Sequence, residues 1–575
     1  MLGLGLSLTG GAVTRGGVSP SLDLDFMAGT MPAAVTFTRA SAATYFDSAG
    51  VLRTQGYNLL LRSEEFDHAA WSKGASSIQI NAGADPFGGN GADKLVENGA
   101  SAFHYTNQTV VKAANALVYT YSVYIKDAGN GRQVSVTMEA GGSNGASMRV
   151  DPATGVITSA ALRYGTFTSA SGSIASVGNG WHRAMISATT GTEAFIAAQC
   201  SLHNGTNSIY QGDGSSGALL WGAMLEQSST LSGYSPTTSA ANGGPRFDHD
   251  PGTLAPRGLL VEEARTNIFP ATINGATFTK QGSSTATDVA GITTPFGTTD
   301  SVVQVSGAPD FSNRVERFFS AVAADATVQF TSSVFIRAVT GTAAGTLRCS
   351  DGSGFDGVNN FSVGTTWTRV AASQAAGTQT GTNRLWRLYG LNAAVYIAAP
   401  QMEAGAFATS YITGGATRAA DTAVIGTLTP WFNAAEGAML AEFDLTRSPP
   451  PATQYAIAFD DGTASNMMAL YVDSIAQCLG FITAGLVTQA QMLGASGIGG
   501  GTVVKAAMAY KINDAALAVN GAAAVADATV TIPTVTKFNI GNRSDGARQF
   551  SGHIRKIRYW RVRRPNSDLQ QITAI

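Results

Sequence analysis

The chain has 575 residues, of which 13% are charged, and a formal net charge of −2. About 25% charged residues would be usual, so the chain as a whole has no electrostatic drive toward nucleic acid. Its 67 glycines speak against a charge-covered helical protein and for many short strands joined by tight turns.

The length suggests roughly three to five domains. Residues 1–20 are glycine-rich and lack the charged start of a signal peptide. They are expected to be a flexible or partner-bound arm. Residues 21–56 read as an N-terminal β region, with Leu22, Leu24 and Phe26 alternating with Asp23 and Asp25. No stretch approaches the ~18 apolar residues of a membrane helix, so no membrane insertion is expected.

Residues 57–238 read as a first module. In Tyr119-Thr-Tyr-Ser-Val-Tyr-Ile-Lys126 the side chains alternate with period two, as in a strand with one core face. Residues 239–263 read as a linker packing with the N-terminal region. Three prolines in it argue against a helix and against a central strand.

Residues 264–419 read as a second module, because the first one recurs there. Phe330-Thr-Ser-Ser-Val-Phe-Ile-Arg337 repeats the tyrosine strand. Pro86-Phe-Gly88 returns as Pro295-Phe-Gly297, Trp181-His-Arg183 as Trp367-Thr-Arg369, and Leu225-Glu226 as Met402-Glu403. A duplicated module favours a modular binding or structural protein over a single-site enzyme. The first copy carries about 25 extra residues around Asp151–Gly155 and about nine more near Asn204–Ser216; indels of this kind belong in surface loops, where specificity can differ.

Residues 420–575 read as a third all-β unit. A short helix is expected at Ser567–Gln571, with Ser567 as its N-cap. The run His553–Arg564 alternates basic and apolar residues. It reads as a strand with a solvated basic face, or as a patch for an acidic partner or an anionic glycan.

Glu436-Gly437, Leu517-Ala-Val-Asn-Gly521, Ile540-Gly541, Phe550-Ser-Gly-His-Ile554 and Ile557-Arg-Tyr-Trp560 make the third unit resemble the concanavalin A-like, laminin-G-like sandwiches. That resemblance implies sugar binding, sometimes through calcium. A second pattern joins Thr36-Phe-Thr-Arg-Ala-Ser41 with Pro245-Arg-Phe-Asp248, Arg257-Gly-Leu-Leu-Val-Glu262 and Arg265-Thr-Asn267. It resembles tailed-phage and prophage virion proteins of the tail-fibre, tail-spike or head-fibre type. The repeated modules resemble carbohydrate-binding jelly-roll sandwiches. The fold class expected is therefore all-β and multi-domain, with two repeated jelly-roll modules and a laminin-G-like sandwich. The resemblance also implies that the halves of the second pattern pack together while the first module bulges out.

Catalytic constellations are scarce. The six histidines fall in no H-E-x-x-H spacing. Asp248-His-Asp250 reads as turn chemistry. The adjacent pairs Glu64-Glu65, Glu262-Glu263 and Asp460-Asp461 do not supply the carboxylate separation of a glycosidase, because adjacent strand residues point to opposite faces. No catalytic residue and no metal ligand is therefore named, and no cofactor is expected. Calcium stays open through Asp460–Asn466 with Asp473 or Asp545, against an Asx-turn reading. Cys200, Cys349 and Cys478 are odd in number and far apart, which argues against disulfides and zinc. Trp386 and Tyr389 have no aromatic counterparts in the first module and are the candidate ligand-binding residues.

The resemblance thus implies a non-enzymatic virion protein on the particle surface, made in the host bacterial cytoplasm. It would bind host-surface glycan, contact other virion proteins and form a homotrimer by analogy. The alternatives are a polysaccharide-degrading tail spike and a purely structural decoration protein.

Overall fold

The computed structural model describes residues 19–141, 143–319, 328–351, 356–374 and 383–575. Eighteen of the twenty residues expected to form the attachment arm lie outside them. The chain forms two units: residues 19–36, 257–261 and 423–575 make one, and Phe37–Pro256 with Glu262–Thr422 make the other. Both are built of antiparallel sheets, and the protein is a multi-domain β-sandwich.

The larger unit holds the two modules. In the first, one sheet runs Ser169–Gly178, Trp181–Thr189, Val118–Asp127, Gly217–Glu226, Ala92–Glu97, Ser76–Gly83. In the second, the corresponding order is Thr368–Ser373, Phe330–Ala338, Val395–Ala404, Thr299–Ser306, Thr285–Thr293. The facing sheets correspond in the same way. That of the first module runs Val156–Tyr164, Gly145–Asp151, Gln133–Glu139, Phe195–His203, Tyr105–Val111, Ser72–Gly74. That of the second runs Gly357–Val363, Ala343–Ser350, Arg384–Tyr389, Val315–Phe319, Thr279–Lys280.

The comparison relocates the first module's extra residues. They form the strands Val156–Tyr164 and Ser169–Gly178, which lengthen each sheet by one edge strand. Asp151–Gly155 is only the tight turn before them, closed by Gly155 N donating to Asp151 O at 2.9 Å. The second insertion is also tied down: Ile209–Gln211 pairs with Ser101–Phe103. Insertions that join sheets obtain backbone partners that a solvated loop lacks.

The shared residues are framework. Asn58 donates to Ala223 O and Ser235 O and accepts from Leu60 N and Leu225 N, at 2.9–3.1 Å. Asn267 makes the matching set with Pro400 O, Ile412 O, Phe269 N and Met402 N. Glu226 accepts from Ser232 N and Oγ, and Glu403 from Thr409 N and Oγ1. Both faces of the tyrosine strand are buried: Thr120, Ser122 and Tyr124 as well as Tyr121, Val123 and Ile125. Asn267→Ala removes both the donor and the acceptor from four buried backbone groups. It is expected to cost about 1–3 kcal/mol in chemical denaturation; a loss near zero would mean that these groups find other partners.

One substitution between the copies decides how the N-terminal hairpin packs. Trp221 stands opposite Tyr124, and Ala398 stands opposite Phe335. In the first module Trp221 fills the space itself, 5.4 Å from Tyr124 and 5.0 Å from Tyr234 between ring centroids. In the second, the alanine leaves room for Leu52 and Phe46 of the hairpin formed by Ala43–Phe46 and Leu52–Gln55. Leu52 N donates to Pro295 O at 3.0 Å and fixes the hairpin there.

The segments of the virion-type pattern meet in a buried ion network. Asp421 binds Arg39 at 3.0 Å and Arg246 at 2.5 Å, while Glu262 binds Arg246 at 2.6 Å and Arg418 at 3.0 Å. All five side chains are at most 2% exposed. Burial alone pushes the Glu262 carboxyl up, but the flanking guanidiniums and two hydrogen bonds from Ser410 reverse this and hold it well below the usual range. Burial dominates for Arg39, whose guanidinium is lowered to about 10.

In the smaller unit, Leu22–Asp25 and Leu259–Val261 pair with successive parts of Gly552–Trp560. The proline-bounded segment expected to be a linker therefore contributes a strand. Its prolines lie outside the three residues paired with Gly552–Trp560, so no donor of that ladder is lost. The same sheet continues through Glu436–Leu445, Val504–Lys511, Asp514–Val519 and Val525–Asp527. The facing sheet runs Lys537–Ile540, Gln454–Asp460, Met467–Val472, Cys478–Ala484, Val487–Leu493. The closing helix is Asn566–Ile572; Ser567 lies inside it, and Pro565 holds the N-cap position without a side-chain bond. Leu569 packs it onto Leu440, Ala509 and Ala516.

Candidate functional site

The sequence places Arg384–Tyr389 as a strand of alternating character, and its two faces have different roles. Trp386 and Leu388 point into the core with Leu347 and Cys349. Arg387 and Tyr389 therefore point outward. Register extends this outer face across four strands: Glu316 stands opposite Arg387, Arg387 opposite Arg348, and Arg348 opposite Val358. In the next row Tyr389 faces Thr346, and Thr346 faces Asn360.

Phe311 lies over this face and is 40% exposed. Three guanidinium carbons surround the ring centroid, Arg314 at 4.6 Å, Arg348 at 5.2 Å and Arg387 at 5.3 Å. Tyr389 meets the same ring edge-on at 5.3 Å and 89°. Cation–π contacts of this kind are worth about 0.5–2 kcal/mol each and rise with desolvation.

The carboxylates here hold arginines. Glu316 accepts from Arg314 Nε at 2.8 Å and Arg387 Nε at 2.9 Å. Burial raises the Glu316 carboxyl, and these two guanidiniums outweigh it, leaving it below its ordinary value. Asp356 pairs with Arg348 and is likewise held below the carboxylate range. Ionised, paired carboxylates fix the guanidinium planes and are poor general acids. The face thus offers an exposed ring, a phenol, guanidinium donors, and the Thr346–Asn360 hydrogen bond at 2.8 Å. That set suits stacking and hydrogen bonding to a hydroxyl-rich ligand.

Of the two candidate residues, Tyr389 belongs to this face and Trp386 does not. Trp386 is 0% exposed, packed between Phe269 at 6.0 Å and Phe278 at 5.4 Å. The correction has a simple cause: positions three apart on a strand lie on opposite faces. The residues missed were Phe311, Arg314 and Arg348. The local sequence gives no sign of their meeting, because it depends on cross-strand register.

On the equivalent sheet of the first module the matching outer face carries a polar row. Arg149, Ser135, Ser201 and Tyr105 form one row across four strands, beside His203 and Gln199. Burial and the Arg149 charge push the His203 imidazole below its ordinary value.

Other candidate chemistry is occupied by structural bonds. Glu64 accepts from Tyr234 Oη at 3.1 Å, and Glu65 pairs with Arg62. Asp248 caps Phe46 N at 2.6 Å, and Asp250 caps Gly252 N and Thr253 N. Asp460 accepts from Gly462 N and Asn539 Nδ2, and Asp461 from Thr463 N, which is Asx-turn chemistry. Asp473 caps Ile475 N and Gln477 N, and Asp545 caps Ala547 N. Among the described residues no group of three or more His, Cys, Asp or Glu is placed to hold a metal ion. The basic run meets acidic partners within its own chain: Lys556 pairs with Asp25 at 2.9 Å and Arg558 with Asp23 at 3.2 Å.

The sequence matches no family model and no curated protein. Similar solved structures include the tandem CBM22-1-CBM22-2 domain of Paenibacillus barcinonensis Xyn10C, at 12% identity and a TM-score of 0.24, covering 61% of this chain and 98% of that one. The CBM22-1 xylan-binding domain of the same protein is 14% identical with a TM-score of 0.20, covering 25% and 94%. The CBM40 of the Ruminococcus gnavus IT-sialidase, bound to α2,3-sialyllactose, is 16% identical with a TM-score of 0.22, covering 25% and 84%.

Proposed function

We propose that this protein recognises glycans without cleaving them, through the outer sheet face of its second module. The observation that carries the reading is the exposed Phe311 ring, held by Tyr389 and three arginines on a rigid sheet. The virion-type sequence pattern supports placing that recognition on a phage or prophage particle surface, as a fibre or spike that contacts host glycan and neighbouring virion proteins. In a homotrimer, three copies of a weak site gain avidity where the geometry allows joint engagement.

Phe311→Ala and Tyr389→Ala are each expected to weaken glycan-array binding about tenfold, a loss of about 1.4 kcal/mol. Purified protein is expected to compete with particles for host adsorption. Array binding unchanged by both substitutions would exclude this face. Release of new reducing ends from host polysaccharide would favour the depolymerase. Absence of any glycan signal, with normal adsorption by particles lacking the protein, would favour a decoration role.

A further inference from the structure

We infer a second ligand site, independent of the Phe311 face: a cleft of about 410 Å³ where the N-terminal hairpin, segment 230–233 of the first module and the Pro-Phe-Gly loop of the second converge. Its ligand class is a small neutral saccharide. Volumes of about 300–1,000 Å³ are typical of small-molecule pockets, which favour junctions between modules.

The lining supplies both parts of sugar recognition. Tyr45 and Phe296 are half-buried and offer ring surface. Phe296 is held edge-on against Tyr411, with centroids 5.7 Å apart, so its ring is fixed before any ligand arrives. Asp47 and Arg53 form an ion pair at 2.6 Å, with the Arg53 side chain 50% exposed. Asp47 Oδ1 accepts from Ala49 N and Val51 N, which orients the carboxylate. Exposed Thr54 and Thr298 add hydroxyls at the mouth.

Charge selects the ligand class. One guanidinium faces one carboxylate, and the other lining residues are uncharged. A strongly charged ligand would lose hydration without a net counter-charge. A neutral polyol can instead bond to the free edges of the ion pair and stack on the rings. The cleft exists because Ala398 admits the hairpin to the second module, so neither module alone would carry it.

The test uses the full chain carrying Phe311→Ala, which removes the other face. Methyl α-glucoside, galactose, N-acetylglucosamine and lactose serve as probes in saturation-transfer NMR titrations. At least one probe is expected to bind with a Kd on the order of millimolar, and Thr298→Trp, which fills the cleft, is expected to weaken it about tenfold or more. Arg53→Gln gives the same reading from an exposed position if the tryptophan variant does not fold. No binding by any probe, or binding unchanged by both variants, overturns the proposal. Failure of the Phe311 face appears separately, as identical array binding by wild type and Phe311→Ala.

Discussion

Asp421→Asn is expected to destabilise the larger unit by about 3–5 kcal/mol, because breaking a buried ion network leaves charge uncompensated in a low-dielectric interior. Asp421 binds both Arg39 and Arg246, and its oxygen also accepts from Glu262 N at 2.9 Å. Asparagine keeps the shape, removes the charge and turns one of the two acceptor oxygens into a donor. Arg246 and Arg418 would then keep the Glu262 carboxylate, while Arg39 would lose the carboxylate it is paired with. Urea unfolding followed by tryptophan fluorescence measures the loss. A change under about 1 kcal/mol, the range of an exposed pair, would show that water reaches the network.

The same network sets an acid limit. The folded Glu262 carboxyl lies below its unfolded value of about 4.3. The unfolded chain therefore binds the proton first. Stability from this group is complete above that value and is lost as pH falls through it toward the folded one. Glu262→Gln is expected to flatten the fall in stability below about pH 4.5 while lowering stability at neutral pH.

Trp386→Ala is expected to cost about 3–5 kcal/mol, the usual range for emptying a large aromatic site in a packed core. The void would face Phe269 and Phe278. Trp386→Phe should cost much less. It keeps most of the ring, and Trp386 Nε1 has no hydrogen-bond partner among the described residues, so no bond is lost. Glycan binding by Trp386→Phe should equal wild type, whereas Tyr389→Ala should lose binding with little change in melting temperature. If Trp386→Phe abolished binding in a folded protein, the indole would have to reach the ligand, and the core placement would be wrong.

The particular residues show what was legible from sequence. The period-two pattern of Tyr119–Lys126 and its echo at Phe330–Arg337 identified strands and a duplicated sandwich, since alternation and repeat order are properties of the chain alone. The same reading mistook the Asp151–Gly155 insertion for a loop, because edge strands need a neighbour to pair with and that neighbour lies in another part of the chain. It paired Trp386 with Tyr389 by proximity, whereas strand geometry separates them. It read Lys556 and Arg558 as a solvated basic face, or as a patch for an acidic partner or an anionic glycan; in the folded chain Asp25 and Asp23 pair with them in antiparallel register.

By itself, the sequence determined the β class, the internal repeat, and Tyr389 as a residue worth testing. Tertiary structure alone decided that Arg39, Arg246, Glu262 and Asp421 share one buried network, that Ala398 admits the hairpin, and that Phe311 gathers three arginines over Tyr389. The physical reason is the range of the interactions. Hydrophobic periodicity is written within a few residues. Burial of charge, ring contacts across strands and clefts between modules depend on register and packing, which only the folded chain supplies.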